Sequence, residues 1–455
     1  MSKTYRPYEP DQMFLLPPSL TDWLPPDHLV FFVREVLDTI DLSPITSVYE
    51  QEERGYPPYH PKVMTGILLY GYCSGVFSSR KLAKRCQEDV PFRVLAANNQ
   101  PDFRTIGDFR KRHLSSLQHL FAEVLRLCQK AGLVKFAHIA LDGTKIKANA
   151  SKHKAMSYGR MKQDIKRLQQ EISHLFDMAQ ETDDREDRLY GKDVRGDELP
   201  AELARRESRL ARIQEAKRAL EKEAKDQEND DPPPPSATSD LPKATIKTEQ
   251  HARTGKPQVI EKAQRNFTDP DSRILPYQKT FVQGYNAQVA VDSAHQIIVA
   301  TDVTNTAPDD PLLPSMICRL PKKPKALSTD AGYTTPENIR YLTKRRYDAY
   351  MATKREKHTF LPGSPAPRGP IPSNISITER MDRKLLTKKG RRIYTRRKCI
   401  VEPPIAHIKH ILGFRQFSLR GQVKVRAEWF LVTAVHNLKK LFQAHTKQGT
   451  MVLAT

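Results

Sequence analysis

Long apolar runs are missing from this sequence, and so is an apolar segment near its beginning. No stretch approaches the roughly 18 consecutive apolar residues that a membrane span needs. The first residues, MSKTYRPYEPDQ, lack the apolar core of a secretory signal. Cysteine is scarce as well: the five cysteines have no CxxC spacing, so neither a zinc site nor a disulfide framework is indicated. We therefore expect a soluble, cytoplasmic protein with reduced thiols and no membrane partner.

Acidic residues are in deficit. Lys and Arg together number 75 against 53 for Asp and Glu, which gives a formal net charge of +22. Such an excess favours a polyanionic partner, with nucleic acid ahead of an anionic membrane surface. The 455 residues, of which 38% are hydrophobic, suffice for two or three domains with ordinary cores.

The first part of the chain has a helical pattern. LVFFVREVLDTI has apolar residues at spacings of three and four, which predicts an amphipathic helix. Thr105 followed by Asp108 resembles a capping box and predicts another helix start. Short helices joined by tight turns are typical of a helix-turn-helix-like DNA-binding domain, and a helical bundle with a solvated basic face is the alternative. The basic residues expected to contact DNA are Arg104, Arg110, Lys111 and Arg112.

Two short apolar runs predict buried strands that each deliver an aspartate. FAHIALDG ends at Asp142 and Gly143, and KALSTD ends at Asp330. Sites in open sheets are built at the carboxyl edge, so the two aspartates occupy equivalent places. Each one alone is more often a turn residue. Thr335 is the predicted N-cap of the helix that follows, with Pro336 at its first position.

A third strand region lies between these two. FVQGYNAQVAVDSAHQIIVATDVTN predicts a hairpin of two antiparallel strands. Asp292 and Asp302 are rival second aspartates, but they sit in or beside this hairpin, where turn roles are commoner. Asp309 and Asp310 fit a helix start, with capping as their first role and chemistry a distant second.

A long charged block interrupts the strand pattern. MKQDIKRLQQEISHLFDMA and LARRESRLARIQEAKRALEKEA carry apolar residues at helical spacing among alternating charges, which predicts an antiparallel helical hairpin. The segment DQENDDPPPPSATSD cannot form a core, so it predicts a disordered linker. We interpret the whole block as an insertion between strands.

One carboxylate, Glu402, stands in the very basic stretch from KKGRRIYTRRK to IVEPPIAHIKHILGFRQFSLR. An acid among bases is usually a solvated ion pair, and a metal ligand is the other interpretation. Pro403 and Pro404 follow directly and predict a helix that kinks or restarts after Glu402. At about 100° per residue, one helical sector would contain Tyr394, Lys398, Glu402, Ile405 and Lys409.

Three carboxylates amid strong positive charge are the ligands that two divalent cations need beside a phosphodiester. The expected cofactor is therefore Mg²⁺, or Mn²⁺, as two ions. His407 and His410 lack a third soft ligand, so they are expected to be phosphate contacts or plain surface residues.

The same stretches resemble the DDE transposases of bacterial insertion sequences. The resemblance is carried by LDGTKIKANASK around Asp142, STDAGYTTPENI around Asp330, and YTRRKCIVEPPIAHIKHILGFRQFSLRG around Glu402. The last stretch is similar to the Tyr-Arg-Glu-Lys signature of one large branch, through Tyr394, Arg397, Glu402 and Lys409. Arg397 lies one residue further from Glu402 than the commonest spacing, which makes Lys398 a rival for its role.

The resemblance implies a reaction and its partners. Metal-activated water would cut double-stranded DNA at terminal inverted repeats, and the freed 3′-OH would attack target DNA. Asp142, Asp330 and Glu402 would hold the metals. The phosphate-binding residues would be Tyr394, Arg397, Lys398 and Lys409. A homodimer or higher oligomer on DNA, associated with the bacterial nucleoid, is expected. The alternative is a non-catalytic DNA-binding regulatory relative.

The expected fold class is α/β, with an RNase H-like mixed sheet and flanking helices. That core comprises residues 136–151 and 275–425. It follows an all-helical N-terminal domain of residues 1–135. A helical-hairpin insertion and its linker occupy residues 152–274, and a C-terminal helix occupies residues 426–455.

Overall fold

Helices form the beginning of the chain, and a mixed sheet forms its middle. The computed structural model describes residues 19–50, 58–190, 201–229, 248–250, 257–277, 280–354, 369, 371–372 and 374–448. Two compact units are present: residues 1–133 with 434–455, and residues 134–433. Within the described ranges, no helix combines the length and the apolar composition that crossing a membrane requires.

The first unit is helical throughout its described residues. The amphipathic helix predicted from LVFFVREVLDTI is confirmed as α1. The helix start predicted at Thr105 is wrong, because Asp102 accepts a hydrogen bond from the Arg104 N–H at 2.8 Å and caps the helix three residues earlier. The helices before residue 134 are α1 (Leu29–Thr39), α2 (Ser43–Glu50), α3 (Pro61–Cys73), α4 (Ser79–Glu88), α5 (Val90–Leu95), α6 (Phe103–Arg112) and α7 (Leu114–Lys130).

A six-stranded sheet organises the second unit. Its strands are β1 (His138–Lys147), β6 (Arg273–Tyr277), β7 (Thr280–Asp292), β8 (Ile298–Thr304), β9 (Ala326–Thr329) and β10 (Ala349–Met351). The order is β10-β9-β1-β7-β6, and β8 also pairs with β7. The predicted hairpin is confirmed as β7 and β8, which are antiparallel. Four shorter strands form two separate ribbons: β2 (Ala155–Ser157) with β5 (Gln264–Asn266), and β3 (Thr248–Gln250) with β4 (Pro257–Val259).

The directions of the strands decide which strand ends lie at the same edge of this sheet. β9 and β10 are parallel to β1, whereas β7 is antiparallel to β1. Because β8 reverses direction once more, it runs the same way as β1. The prediction that the first strand ends at Asp142 is wrong: β1 continues to Lys147, since β7 pairs with it along that whole length while β9 stops at Thr329.

The observed architecture confirms the predicted fold class: a mixed α/β chain with an RNase H-like mixed sheet and an N-terminal helical region. The charged insertion contains the two predicted helices, α8 (Tyr158–Tyr190) and α9 (Ala201–Asn229). Ion pairs from Arg206 to Glu171 and from Arg209 to Asp164 run in opposite sequence order, so the helices are antiparallel. The turn predicted at residues 183–200 begins too early, because α8 continues to Tyr190; residues 191–200 and the Pro-rich part of the linker lie outside the described residues.

The basic stretch forms separate helices rather than one. Helix α10 (Leu313–Cys318) comes just before β9. The helices after β9 are α11 (Pro336–Lys344), α12 (Ile377–Leu386), α13 (Lys388–Thr395), α14 (Arg397–Ala406) and α15 (Gln422–Gln448). Thr335 accepts a hydrogen bond from the Asn338 N–H, which confirms it as the N-cap of α11. The break at Arg396, between α13 and α14, contradicts the predicted single sector.

Pro403 and Pro404 lie inside α14 and do not end it, so the predicted restart after Glu402 is wrong. Proline lacks the N–H that would bond to the carbonyl four residues earlier. Gln296 compensates at one such position, because its Nε2 donates to the Cys399 carbonyl at 3.0 Å. The α-helical pattern changes only at His407–Ile411, which form a π-helical turn.

Candidate active site

Asp142 and Asp330 lie side by side on adjacent parallel strands. Leu141 pairs with Thr329 in the register of β1 and β9, so the next residue of each strand is one of the two aspartates. Asp142 stays within β1, whereas Asp330 begins the loop after β9, where its Oδ1 accepts from the Gly332 N–H at 3.1 Å. The predicted equivalence of the two positions therefore rests on strand pairing, although only one of them is a strand end.

Asp309 brings a third carboxylate to this edge of the sheet. It follows β8, which runs parallel to β1, and its side chain makes no capping bond to its own helical turn. Its Oδ1 accepts from Asn286 Nδ2 at 2.7 Å and from Gln288 Nε2 at 2.9 Å, both on β7. Lys145 Nζ lies 3.3 Å from the same oxygen. The expectation that capping is its first role is wrong for Asp309.

Two glycines allow the approach of Asp309 to both aspartates. A Cβ on Gly143 would stand 2.8 Å from Asp309 Oδ1, which is too close for any residue but glycine without a shift. A Cβ on Gly332 would stand 3.2 Å from Asp330 Oδ1 and 3.4 Å from Asp309 Oδ2. Asp309 therefore sits between the backbone beside Asp142 and the loop that starts at Asp330.

Arg397 balances part of this negative charge. Its Nη1 donates to Asp142 Oδ2 at 2.9 Å, and its side chain is only 8% exposed. Its guanidinium carbon lies 5.9 Å from the centre of the Tyr394 ring. The structure thus buries Arg397 against a carboxylate, and its contact with DNA phosphates stays a prediction. Lys398, its rival in that role, is exposed on α14.

Burial and, after it, the crowding of like charges raise the pKa values of Asp142 and Asp330. Burial raises the pKa of Asp142, and the nearby Arg397 charge opposes that effect. Burial, followed by the charges of Asp142 and Asp309, raises the pKa of Asp330 to about 7. Burial and the same three carboxylates raise the pKa of Tyr333 well above its usual range, so its neutral hydroxyl donates to Gln288 Oε1.

The donor set suits a hard divalent cation. Carboxylate oxygens are the ligands that Mg²⁺ and Mn²⁺ prefer, and Asp142, Asp309 and Asp330 bring several of them to one edge of the sheet. Asp142 and Asp330 would hold such an ion, with Asp309 beside them. Among the described residues, however, no three His, Cys, Asp or Glu side chains are arranged as a complete metal site.

The structure does not join Glu402 to the two aspartates. Its side chain is exposed on α14, and in the described part of the chain it forms no hydrogen bond or ion pair. Tyr394, in contrast to Glu402, is buried: it is 2% exposed and packs with Ala326, Tyr350 and Leu385. The contact of Tyr394 with DNA phosphates stays a prediction.

Lys409 reaches the same strand that carries Asp142. Its Nζ donates to the Lys145 carbonyl at 3.1 Å and lies 5.2 Å from the centre of the Tyr277 ring. Burial, followed by the charge of Lys145, lowers the pKa of Lys409 to about 8. An anion beside this ammonium would therefore be stabilising. His407 is half-buried and His410 is exposed in the π-helical turn.

Asp292 and Asp302, the alternative second aspartates in the hairpin, make structural contacts. Asp292 Oδ2 accepts from the Phe136 N–H at 2.7 Å. Asp302 is 1% exposed and pairs with Arg319 at 2.6 Å and with Arg426 at 2.7 Å. Both acids are thus fully engaged away from the Asp142 edge.

The basic residues of the first unit divide into two groups. Arg104, Lys111 and Arg112 are exposed on α6. Arg110 is 5% exposed, and its Nη1 donates to Tyr72 Oη at 3.1 Å and to the Phe77 carbonyl at 2.9 Å. Arg110 therefore holds α6 against neighbouring segments, and its DNA contact stays a prediction.

Two family models match the chain and together cover more than half of it. A Transposase domain (DUF772) matches residues 18–112, and a Transposase DDE domain matches residues 249–438. The second range contains Asp309, Asp330, Arg397 and Glu402 and leaves Asp142 outside. Comparison with the curated proteins and with the solved structures gives no match.

Proposed function

The chain belongs to the DDE transposases of insertion sequences, and on that premise we propose that it cuts the ends of its element and joins them to target DNA. The freed 3′-OH would be the nucleophile of the joining step. The observation that carries this proposal is the pair Asp142 and Asp330, adjacent on parallel strands and crowded by Asp309.

Glu402 is proposed as the third acid of the site. Its helix, α14, packs on β1 and β7, and Arg397 of the same helix already contacts Asp142. An exposed carboxylate on that helix is accessible to ions and to DNA together. The placement supports a role that is completed when substrate binds, because apo geometry is often looser than that of the reacting complex.

Divalent ions bound at Asp142 and Asp330 would supply an activated attacking oxygen and stabilise the charge on the leaving oxygen. The chain itself supplies position and charge. Arg397 favours the ionised form of Asp142, since its guanidinium opposes the effect of burial on the pKa of that acid. Lys398 and Lys409 are the proposed phosphate contacts at this edge, and Arg104, Lys111 and Arg112 those of the first unit.

The test is cleavage of terminal inverted-repeat DNA with Mg²⁺ present. Asp142→Asn, Asp330→Asn and Glu402→Gln are each expected to lower the cleavage rate by more than the roughly 10- to 100-fold typical of outer-shell residues. Glu337→Gln is the matched control, because Glu337 is an exposed acid of α11 that pairs with Arg340 at 3.5 Å. Unchanged cutting by Glu402→Gln would remove Glu402 from the site.

A non-catalytic DNA-binding relative is the second candidate. The observation that favours it is the Arg397–Asp142 pair, which balances a buried acid without any metal. Such a protein would bind the same DNA ends. Binding without cleavage by the unmodified chain, in both Mg²⁺ and Mn²⁺, would favour it over the enzyme.

A further inference from the structure

A cationic groove lies at the base of the helical hairpin, away from the aspartates. It has a volume of about 1000 Å³ and is bounded by residues 153–160, by α9 and by Phe267 and Thr268. The ionisable residues that line it are mostly cationic: His153, Lys154, Arg160, Arg205, Arg209 and Arg212. Glu215 is the one acid among the residues that line this groove.

Most of this positive charge is not neutralised within the protein. Arg209 lies 3.7 Å from Asp164. In the described part of the chain, the side chains of Lys154, Arg160 and Arg212 take part in no ion pair, and all three are exposed. Several cations around one cavity repel each other, so the arrangement is most stable with a polyanion inside.

The groove is built from separate segments, which distinguishes it from the solvated face of one helix. β2 pairs with β5 through Met156 and Arg265. The Phe267 N–H donates to the Lys154 carbonyl at 3.1 Å, so the two walls are held together by backbone bonds. Half-buried Phe267 adds an aromatic surface beside the cations. Cations interleaved with an aromatic are typical of nucleic-acid contacts.

The groove is also within reach of a duplex that enters the candidate active site. Lys154 follows Asp142 by twelve residues, which span at most about 40 Å, or about 12 base pairs of B-DNA. The connecting segment is fixed at Asn149, whose Nδ2 donates to the Ser418 carbonyl at 2.8 Å. One duplex can therefore contact both places.

We infer that this groove is a second DNA-binding surface, which grips the phosphate backbone of the DNA whose end is processed at Asp142 and Asp330. The inference rests on the proposed function for the identity of the polyanion. Lys154, Arg160 and Arg212 supply the phosphate contacts, which set affinity and position rather than sequence preference.

The experiment measures binding of a fluorescein-labelled 30-base-pair duplex of arbitrary sequence by anisotropy, with EDTA present so that nothing is cut. The variant is Lys154→Gln with Arg160→Gln and Arg212→Gln in the full chain. We expect at least a ~10-fold loss of affinity, and a fall of about 2 to 3 in the slope of log affinity against log salt, at roughly 0.9 per lost phosphate contact.

The matched control removes three exposed cations of α8 and α9, none of which lines the groove: Lys166→Gln with Arg218→Gln and Lys222→Gln. Both variants change the net charge equally, and a shared thermal midpoint verifies that both fold. Equal affinities of the two variants would overturn the inference. Cleavage by the unmodified chain is scored separately, so loss of binding in the groove variant supports the groove even if no cutting is found.

Discussion

A single guanidinium compensates the buried carboxylate of Asp142. The Arg397 side chain is 8% exposed and that of Asp142 is 20% exposed, so the pair is shielded from water. Breaking a buried pair by removing one partner typically costs about 3–5 kcal/mol, because the other charge stays buried. Arg397 thus contributes to the fold as well as to the site.

Arg397→Met is expected to lower the free energy of unfolding by about 3–5 kcal/mol at pH 8 and by clearly less at pH 5. Without the guanidinium, burial alone acts on Asp142 and raises its pKa further. An acid whose pKa is raised in the fold destabilises the fold once it is ionised. The loss of stability in the variant therefore grows as pH rises towards that pKa. Urea unfolding at both pH values measures it. The control is Arg340→Met, whose side chain is 65% exposed; an equal loss at both pH values would contradict the proposed cause.

Asp330 gives the chain a second pH dependence. Its pKa is raised to about 7 in the fold by burial and by two neighbouring acids, against about 3.9 in an unfolded chain. The fold therefore favours the protonated acid, and stability from this group is lost as pH rises from about 4 to about 7. Asp330→Asn removes that loss while keeping an acceptor for the Gly332 N–H.

We expect Asp330→Asn to match the unmodified chain in stability near pH 4 and to exceed it by about 2 kcal/mol at pH 8. Added Mg²⁺ should stabilise the unmodified chain at pH 8 and leave the variant nearly unchanged, since the variant lacks a ligand. Thermal melts with and without Mg²⁺ measure both effects. A variant less stable than the unmodified chain at pH 8 would contradict the charge crowding.

Individual residues differed in how far the sequence could predict them. Asp142 and Asp330 could be predicted from the sequence because each follows an apolar run, and parallel strands bring such positions together. Asp309 was missed because an acid before Pro and Leu is normally a cap. The signal that points to it is topological: the second strand of the hairpin runs parallel to β1, so the residues after it reach the same edge. Burial of Arg110, Arg397 and Tyr394 depends on tertiary packing, which helical spacing does not encode.

Elements were predicted best where alternation or amphipathicity is strong, as in α1 and the hairpin of β7 and β8. The end of β1 depends on its partner, because β7 continues the pairing as far as Lys147. Helix α14 likewise continues through two prolines because Gln296, which lies outside the helix, donates a hydrogen bond to the Cys399 carbonyl. Local sequence cannot supply either partner.

Gly284→Ala tests how closely β1 and β7 must pair. Gly284 lies opposite Lys147, and a Cβ there would overlap the backbone carbonyl oxygen of Ile146. Because a backbone atom cannot rotate away, we expect a loss of about 1–3 kcal/mol in stability. The cleavage rate should fall as well, since β1 carries Asp142. Urea unfolding and the cleavage assay measure the two effects.

Gly107→Ala is the control for that substitution. Gly107 lies in α6, and the nearest atom to its added Cβ is Ser79 Oγ at 3.6 Å, an ordinary contact. We expect unchanged stability or a gain of up to about 1 kcal/mol, because alanine favours helix over glycine. A loss for Gly107→Ala as large as that for Gly284→Ala would show that the strand contact is not the cause.

At the scale of the whole molecule, holding DNA and cutting it rest on different groups. The formal net charge of +22 attracts DNA phosphates without any metal. Asp142, Asp309 and Asp330 lie at one sheet edge, where bound divalent ions would offset their charge beside a DNA phosphate. The two activities should therefore separate when metal is withdrawn.

Chelation by EDTA is expected to abolish cleavage of inverted-repeat DNA and to leave its affinity for the chain within about twofold, since Lys and Arg carry the binding. Adding excess Mg²⁺ or Mn²⁺ should restore cutting. Gel assays of binding and of cleavage, run on the same samples, measure both. Cleavage that survives EDTA would exclude the metal-dependent mechanism.

The pairing of Lys147 with Gly284 places both ends of the long insertion at one point of the sheet. More than a hundred residues leave the sheet after Lys147 and return to it on β6, whose first residue, Arg273, also pairs with Gly284. Because closure entropy grows only slowly with loop length, the intervening segment can be lengthened, shortened or exchanged at little cost to the sheet. The insertion is thus a replaceable module, and its length or composition can change without moving Asp142.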